Sequence, residues 1–168
     1  MRIYTLAFSL LLLSAVALAG NPDNKQVDAR AAFSRLKSLA GEWQADTSKG
    51  KARVRYELIA GGSVLVEHDS MPGEDEMITA YHLDGDQLVL THYCMAGNQP
   101  HMVADRFDGQ NGNLDFAFAG GSNIAPGAGH MHNVRFHLIS DNRFDAVWDF
   151  VEGGKVKFSE NLHYARLQ

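Results

Sequence analysis

Between Glu42 and Arg166 apolar and polar residues alternate with a period of two, the pattern of strands with one face in a core and the other in solvent. The alternation predicts strands over 42–47, 52–60, 63–70, 77–83, 87–95, 101–107, 113–119, 130–139, 143–151 and 155–166. Turn chemistry separates them: Ser48-Lys49-Gly50, Gly61-Gly62, Pro72-Gly73, Asp84-Gly85-Asp86, Asp108-Gly109, Asn111-Gly112, Asp141-Asn142 and Gly153-Gly154. Ahead of Gly41 the period is helical. Val27, Ala31, Phe33, Leu36 and Leu39 recur among charged residues, predicting one amphipathic helix that ends near Ala40-Gly41. The pattern predicts an all-β fold, a single up-and-down antiparallel β-barrel of about ten strands with one short N-terminal helix.

Parity assigns the strand faces. Leu114, Phe116, Phe118, Val134, Phe136, Leu138, Phe144, Ala146, Trp148, Phe150, Val156, Phe158, Leu162 and Tyr164 form inward rows, and Asp115, Arg135, Asp145, Asp149 and Lys157 face out. Glu160 falls inward between Phe158 and Leu162. A buried carboxylate is costly unless paired, so it is expected to meet an arginine or tyrosine, or else to be an acid of raised pKa. Glu67 and Asp69, charged and flanking His68, are expected to meet solvent.

The helix running into Leu39-Ala40-Gly41-Glu42-Trp43 resembles the start of the calycin, or lipocalin-like, barrels, in which a Gly-Xaa-Trp opens the first strand. That resemblance implies a tryptophan packed at the closed end against an arginine from the last strand, here Trp43 and Arg166. It covers the chain after Ala19 and looks like the small exported bacterial domains of this type, many without assigned activity. It further implies a barrel holding a small apolar molecule, or haem in the nitrobindin-like branch. No histidine of this chain matches an axial position of that branch.

Composition narrows the setting. Met1–Ala19 has Arg2, an apolar run from Leu6 to Val16 broken only by serines, and Ala17-Leu18-Ala19 before Gly20. This is the form of a secretory signal peptide cleaved near Ala19, leaving a barrel domain over 20–168 in the periplasm or outside the cell. The apolar run is too short to span a bilayer, and no transmembrane segment is expected in the mature chain. The mature domain has 14 basic and 20 acidic residues, a net charge of −6 with neutral histidines. That charge offers no footprint for nucleic acid. The single cysteine, Cys94, excludes an intrachain disulfide.

An up-and-down barrel lets strand ends be sorted without coordinates, because odd strands run one way and even strands the other. The end opposite Trp43 receives His68, Asp69, His92, Cys94, His101, Met102, His130, Met131 and His132, with the long segments 71–76 and 120–129, the second a candidate lid. By parity His92 and Cys94 continue the face of Leu88 and Leu90, and His130 and His132 that of Val134 and Phe136, so all four are expected to converge in the mouth. Imidazole and thiolate suit zinc or copper, making His92, Cys94, His130 and His132 the candidate metal ligands. No Cys-Xaa-Xaa-Cys or His-Glu-Xaa-Xaa-His pattern selects a metal or any other cofactor. The same groups, with Asn98, Gln99 and His101, would instead orient the polar head of an apolar ligand. An ordinary hydrogen-bonded plug is the third reading of them.

Three functions therefore stand open. The leading one is an exported barrel binding a small hydrophobic or amphipathic ligand at a histidine-rich mouth. The second is a metal-dependent or histidine-assisted enzyme at the same place; no serine elbow, phosphate loop or dinucleotide fingerprint supports it. The third is a ligand-free interaction domain whose barrel is filled with phenylalanine. The pattern does not address oligomeric state.

Overall fold

The computed structural model describes residues 27–168; the signal sequence expected over 1–19 lies outside them. One helix, α1 (Ala29–Lys37), precedes ten strands: β1 (Gly41–Thr47), β2 (Gly50–Ile59), β3 (Val64–Ser70), β4 (Met77–Asp84), β5 (Gln87–Tyr93), β6 (Gln99–Asp108), β7 (Asn113–Ser122), β8 (His130–Ser140), β9 (Arg143–Glu152) and β10 (Lys155–Arg166). Each strand pairs antiparallel with its neighbours in sequence, and β10 closes on β1. This is the expected up-and-down barrel.

Asp28 starts α1 by accepting a hydrogen bond from the Ala31 amide at 3.0 Å, which satisfies one of the otherwise unpaired first-turn donors. The helix buries Ala29, Ala32, Phe33 and Leu36 against β4, β5 and β6, while Ala31, expected on the apolar stripe, faces solvent. After it the chain enters the closed end. Trp43 stands opposite Arg166 in the β1–β10 register, and the guanidinium lies 4.0 Å over the indole ring. Arg166 also donates to the carbonyls of Ala40 and Ser38 at 2.8 Å and Asp141 at 2.7 Å, and Trp43 Nε1 donates to Leu39 O at 2.7 Å. One arginine thus ties the helix exit, the first strand and the last strand together, as the calycin resemblance implies.

The half of the barrel next to this closure is solid. Trp43, Tyr81, Phe116, Phe136, Phe144, Leu65, Leu88 and Leu90 are fully buried, with Phe144 edge-on to Trp43 at 4.8 Å and Phe116 edge-on to Tyr81 at 5.9 Å. Each such side chain contributes about 1.5–3 kcal/mol by leaving water. Towards the other end the packing loosens. Registered pairing of β1 with β10 is confined to Trp43–Arg166 and Gln44–Ala165, so most of β10 has β9 as its only registered neighbour.

Two parity expectations fail there. Val156, assigned inward, is 57% exposed, because the register shift between it and Phe158 pairs it with Val151, on the face opposite Phe150; Phe158 keeps the inward register opposite Phe150 and is 50% exposed at the open end. In β8 the register jumps between Met131 and Asn133, leaving His132 as the extra residue. Beyond that bulge Met131 pairs with Phe150 and takes the inward position, and His130 is displaced from the face of Val134 and Phe136.

Candidate functional site

Residues paired directly across neighbouring strands share a face of the sheet. The registers Tyr56–Glu67, Glu67–Thr79 and Thr79–His92 therefore place four polar side chains in one row along the inner wall from β2 to β5. All four are buried. Tyr81, two residues along β4 from Thr79, donates its phenolic proton to Glu67. Burial pushes the Glu67 carboxyl up to about 7, against the pull of hydrogen bonds from Tyr81 and Tyr56. Burial likewise moves the hydroxyls of Tyr56, Tyr81 and Tyr164 well above their ordinary range.

Asp69 continues the row of Glu67 on β3. Its Oδ1 is closed off from solvent without a hydrogen-bond partner. Burial, then the like charges of Glu67, Glu160 and Glu74, push its carboxyl up to about 8. At neutral pH this acid is therefore mostly protonated. The expectation that Glu67 and Asp69 meet solvent is overturned, and the reason lies in the parity itself: both share the face of Leu65, which is fully buried.

Above this layer a cavity of about 630 Å³ opens at the end opposite Trp43. Its walls are Met77, Cys94, Met95, Met131, Phe150 and Phe158, with Lys49, Glu74, Ser159 and Glu160 on the β1–β10 side. Three of the chain's six methionines lie here; their unbranched thioethers adapt to ligands of varied shape. Phe150 and Phe158, register partners, stack face to face at 5.0 Å. Asp69 stands directly across from Met77, and Trp148 directly across from Glu160, so the acids and the indole adjoin the cavity lining. Glu160 has no hydrogen bond to an arginine or tyrosine among the described residues; burial raises its carboxyl pKa, followed by the nearby Glu74, and Lys49 opposes the rise.

The four histidine and cysteine groups expected to converge are divided. His92 is buried beside Trp148, with ring centres 5.2 Å apart and Nδ1 hydrogen-bonded to Thr79 at 2.9 Å. Its Nε2 has no partner, and burial lowers its pKa to about 4, so the ring is neutral. Cys94, half-buried, lines the cavity, and burial raises its thiol pKa, which keeps it protonated and weakly nucleophilic. His130 and His132 lie in a second hollow beneath residues 124–128, hydrogen-bonded to each other at 3.0 Å and packed on Phe118. The β8 bulge is what separates them from Cys94. Among the described residues no three His, Cys, Asp or Glu side chains are grouped as a metal site, so the proposed zinc or copper set does not assemble.

The other expected head-group contacts have structural partners. Buried Asn98 donates to Gly129 O at 2.9 Å, pinning the β5–β6 turn to the segment before β8. Gln99 accepts from Asn123 at 2.8 Å, and exposed His101 bonds Thr91 at 2.9 Å. The candidate lid is shorter than expected because β7 runs on to Ser122. It covers His130 and His132 rather than the Met–Phe cavity.

No family model and no curated protein matches this sequence. Among solved structures the chain is similar to the crystal structure of Rv2717c from M. tuberculosis, with a TM-score of 0.52 at 15% identity, covering 82% of this chain and 98% of that one. At that identity the likeness concerns the barrel fold alone.

Proposed function

We propose that this protein is an exported binding barrel for a small amphipathic molecule, held with its apolar part between Met77, Met95, Met131, Phe150 and Phe158. The observation that carries this reading is the cavity itself. It is apolar on its walls, open at one end of an otherwise solid barrel, and provided with a few polar groups at one side, the usual composition of a small-molecule site. Export is supported by the signal-like pattern of Met1–Ala19. The position of Cys94, rather than the histidines, ties the sequence-derived mouth to this cavity.

The test is binding of N-phenyl-1-naphthylamine, a neutral apolar fluorophore, together with native mass spectrometry of protein recovered from an exported compartment. Saturable one-to-one binding by the wild type, lost when Met131→Trp fills the space, is the expected result. Absence of saturable dye binding together with absence of any co-purified organic mass overturns the reading. A mature mass that begins near Gly20 is expected, and retention of the first 19 residues on soluble protein would remove the export part.

A further inference from the structure

The side of the cavity facing β3 and β10 carries four carboxyl groups, some of them held protonated by burial, and little positive charge. Glu74 and Glu160 line it, Asp69 is the cross-strand neighbour of its wall residue Met77, and Glu67 lies two residues deeper on the same face as Asp69. Against these four carboxyl groups the lining offers one cation, Lys49, already bonded to Glu74 at 2.9 Å. Three buried side-chain atoms have no partner among the described residues: Asp69 Oδ1, His92 Nε2 on a ring that is only 3% exposed, and Asn98 Oδ1 in the turn whose Cys94 and Met95 line the cavity. His92 turns Nδ1 to Thr79, which leaves Nε2 on the side away from β4. Buried polar atoms are normally satisfied, and unmet ones beside an open cavity call for a polar occupant; an ionised Asp69, and Nε2 in the tautomer whose Nδ1–H donates to Thr79, accept from it.

An occupant with a hydroxyl would supply one donor and no charge. An anion would be repelled by the carboxyl groups. A protonated amine supplies up to three donors and the missing positive charge, and the faces of Trp148, Phe150 and Phe158 beside Glu160 favour a cation further. The negative net charge of the mature domain attracts cations from a distance. Resting on the binding-barrel reading above, we propose that the ligand is a cationic amphiphile, an organic amine whose ammonium group sits against Asp69 and Glu160 and whose apolar body lies among the methionines. Uptake then turns a protonated Asp69 into a carboxylate paired with the ammonium, and the displaced proton leaves to solvent.

The probes are octylammonium, octanol and octanoate, matched in chain length, titrated calorimetrically at pH 7 into the full protein and into Asp69→Asn and Glu160→Gln. Octylammonium is expected to bind at least about tenfold more tightly than octanol, since each unit by which the cation lowers a carboxyl pKa is a tenfold gain in affinity. Octanoate is expected to bind weakest. Each substitution is expected to shrink the ammonium-to-octanol ratio, which is the readout whatever happens to the absolute affinities; Glu160→Gln, at the half-buried rim, is the variant least able to disturb folding. A wild-type ratio near one, or tighter binding of octanoate, with dye binding intact overturns the amine assignment and leaves the binding barrel standing. An unchanged ratio in both variants overturns the role of these carboxyls. Loss of dye binding in the wild type removes both readings.

Discussion

Tyr81 and Glu67 form a diagonal pair on the inner wall of the barrel, the phenol of β4 donating to a carboxyl on β3 whose direct neighbour is Thr79. Both residues are buried, so the donor cannot be replaced by bulk water. Tyr81→Phe is expected to destabilise the fold by about 1–3 kcal/mol, the cost of leaving a buried acceptor short of a partner. The loss is expected to be larger at pH 8 than at pH 6, because Glu67 titrates at about 7 and its ionised form needs the donor more. Urea unfolding at the two pH values measures this; equal losses would contradict it.

The buried acids also fix the sign of the pH dependence of stability. Glu67 and Asp69 have folded pKa values of about 7 and about 8, above their ordinary 4.5 and 3.8, so the folded state holds protons that the unfolded chain has released. Their stabilisation is complete below about pH 4 and declines as pH rises to 8. His92, lowered to about 4 from 6.5, opposes them between those two values, because the unfolded chain then binds a proton that the folded ring refuses. Above 6.5 the opposition ends. For these three groups stability therefore falls most steeply between pH 6.5 and 7, by about 1.4 kcal/mol per pH unit for each net proton. Thermal melts from pH 5 to 8.5 should show the decline, and Asp69→Asn should flatten it, particularly between pH 7 and 8.

At the closed end, Gly41 has a φ of +127°, and a Cβ there would lie 2.7 Å from Arg166 Nη1. Gly41→Ala is therefore expected to be destabilising through both the backbone and the displaced guanidinium. Arg166→Ala, which removes the contact over Trp43 and three bonds to carbonyls, is expected to cost about 2–4 kcal/mol. In a double-mutant cycle, the cost of Gly41→Ala is expected to shrink in the Arg166→Ala background, leaving the backbone part. Simple additivity would show that the steric contact is not felt.

Gly129 lies against a wall residue of the cavity, since a Cβ at this position would overlap the Phe150 ring. Gly129→Val is expected to push Phe150 out of its stack on Phe158 and into the cavity. Dye affinity should fall several-fold while Arg166-dependent stability stays close to wild type. Unaltered dye binding would show that Phe150 moves away from the cavity instead.

Cys94 reports on occupancy. Its thiol is half-buried and its pKa is raised by burial, so reaction with a neutral disulfide reagent at pH 7 is expected to be slower than for a free cysteine and to accelerate only above the ordinary thiol range. A saturating cavity probe is expected to slow it further. Reaction at the rate of an unhindered thiol, with or without the probe, would place Cys94 outside the binding space.

Alternation and turn chemistry were enough to draw the ten strands, their order and the single helix, because side-chain period and tight-turn preference are local properties of the chain, while the Trp43–Arg166 contact was implied by the calycin resemblance. Sorting strand ends by direction also put Cys94 at the end where the cavity lies. Local parity could not locate the chemistry inside it. One extra residue at His132 reverses the face of His130 and brings Met131 inward, and no pattern in the strand marks that bulge. Charge misplaced Glu67 and Asp69, although Leu65 on their own face was the signal available; what makes the burial of Glu67 tolerable is Tyr81, supplied from a different strand. Val156 left the inward face because the β9–β10 register shifts between it and Phe158, a matter of how the strands pair. Strand period belongs to each segment alone, whereas the cavity, its acids and its aromatic wall exist only where ten segments meet.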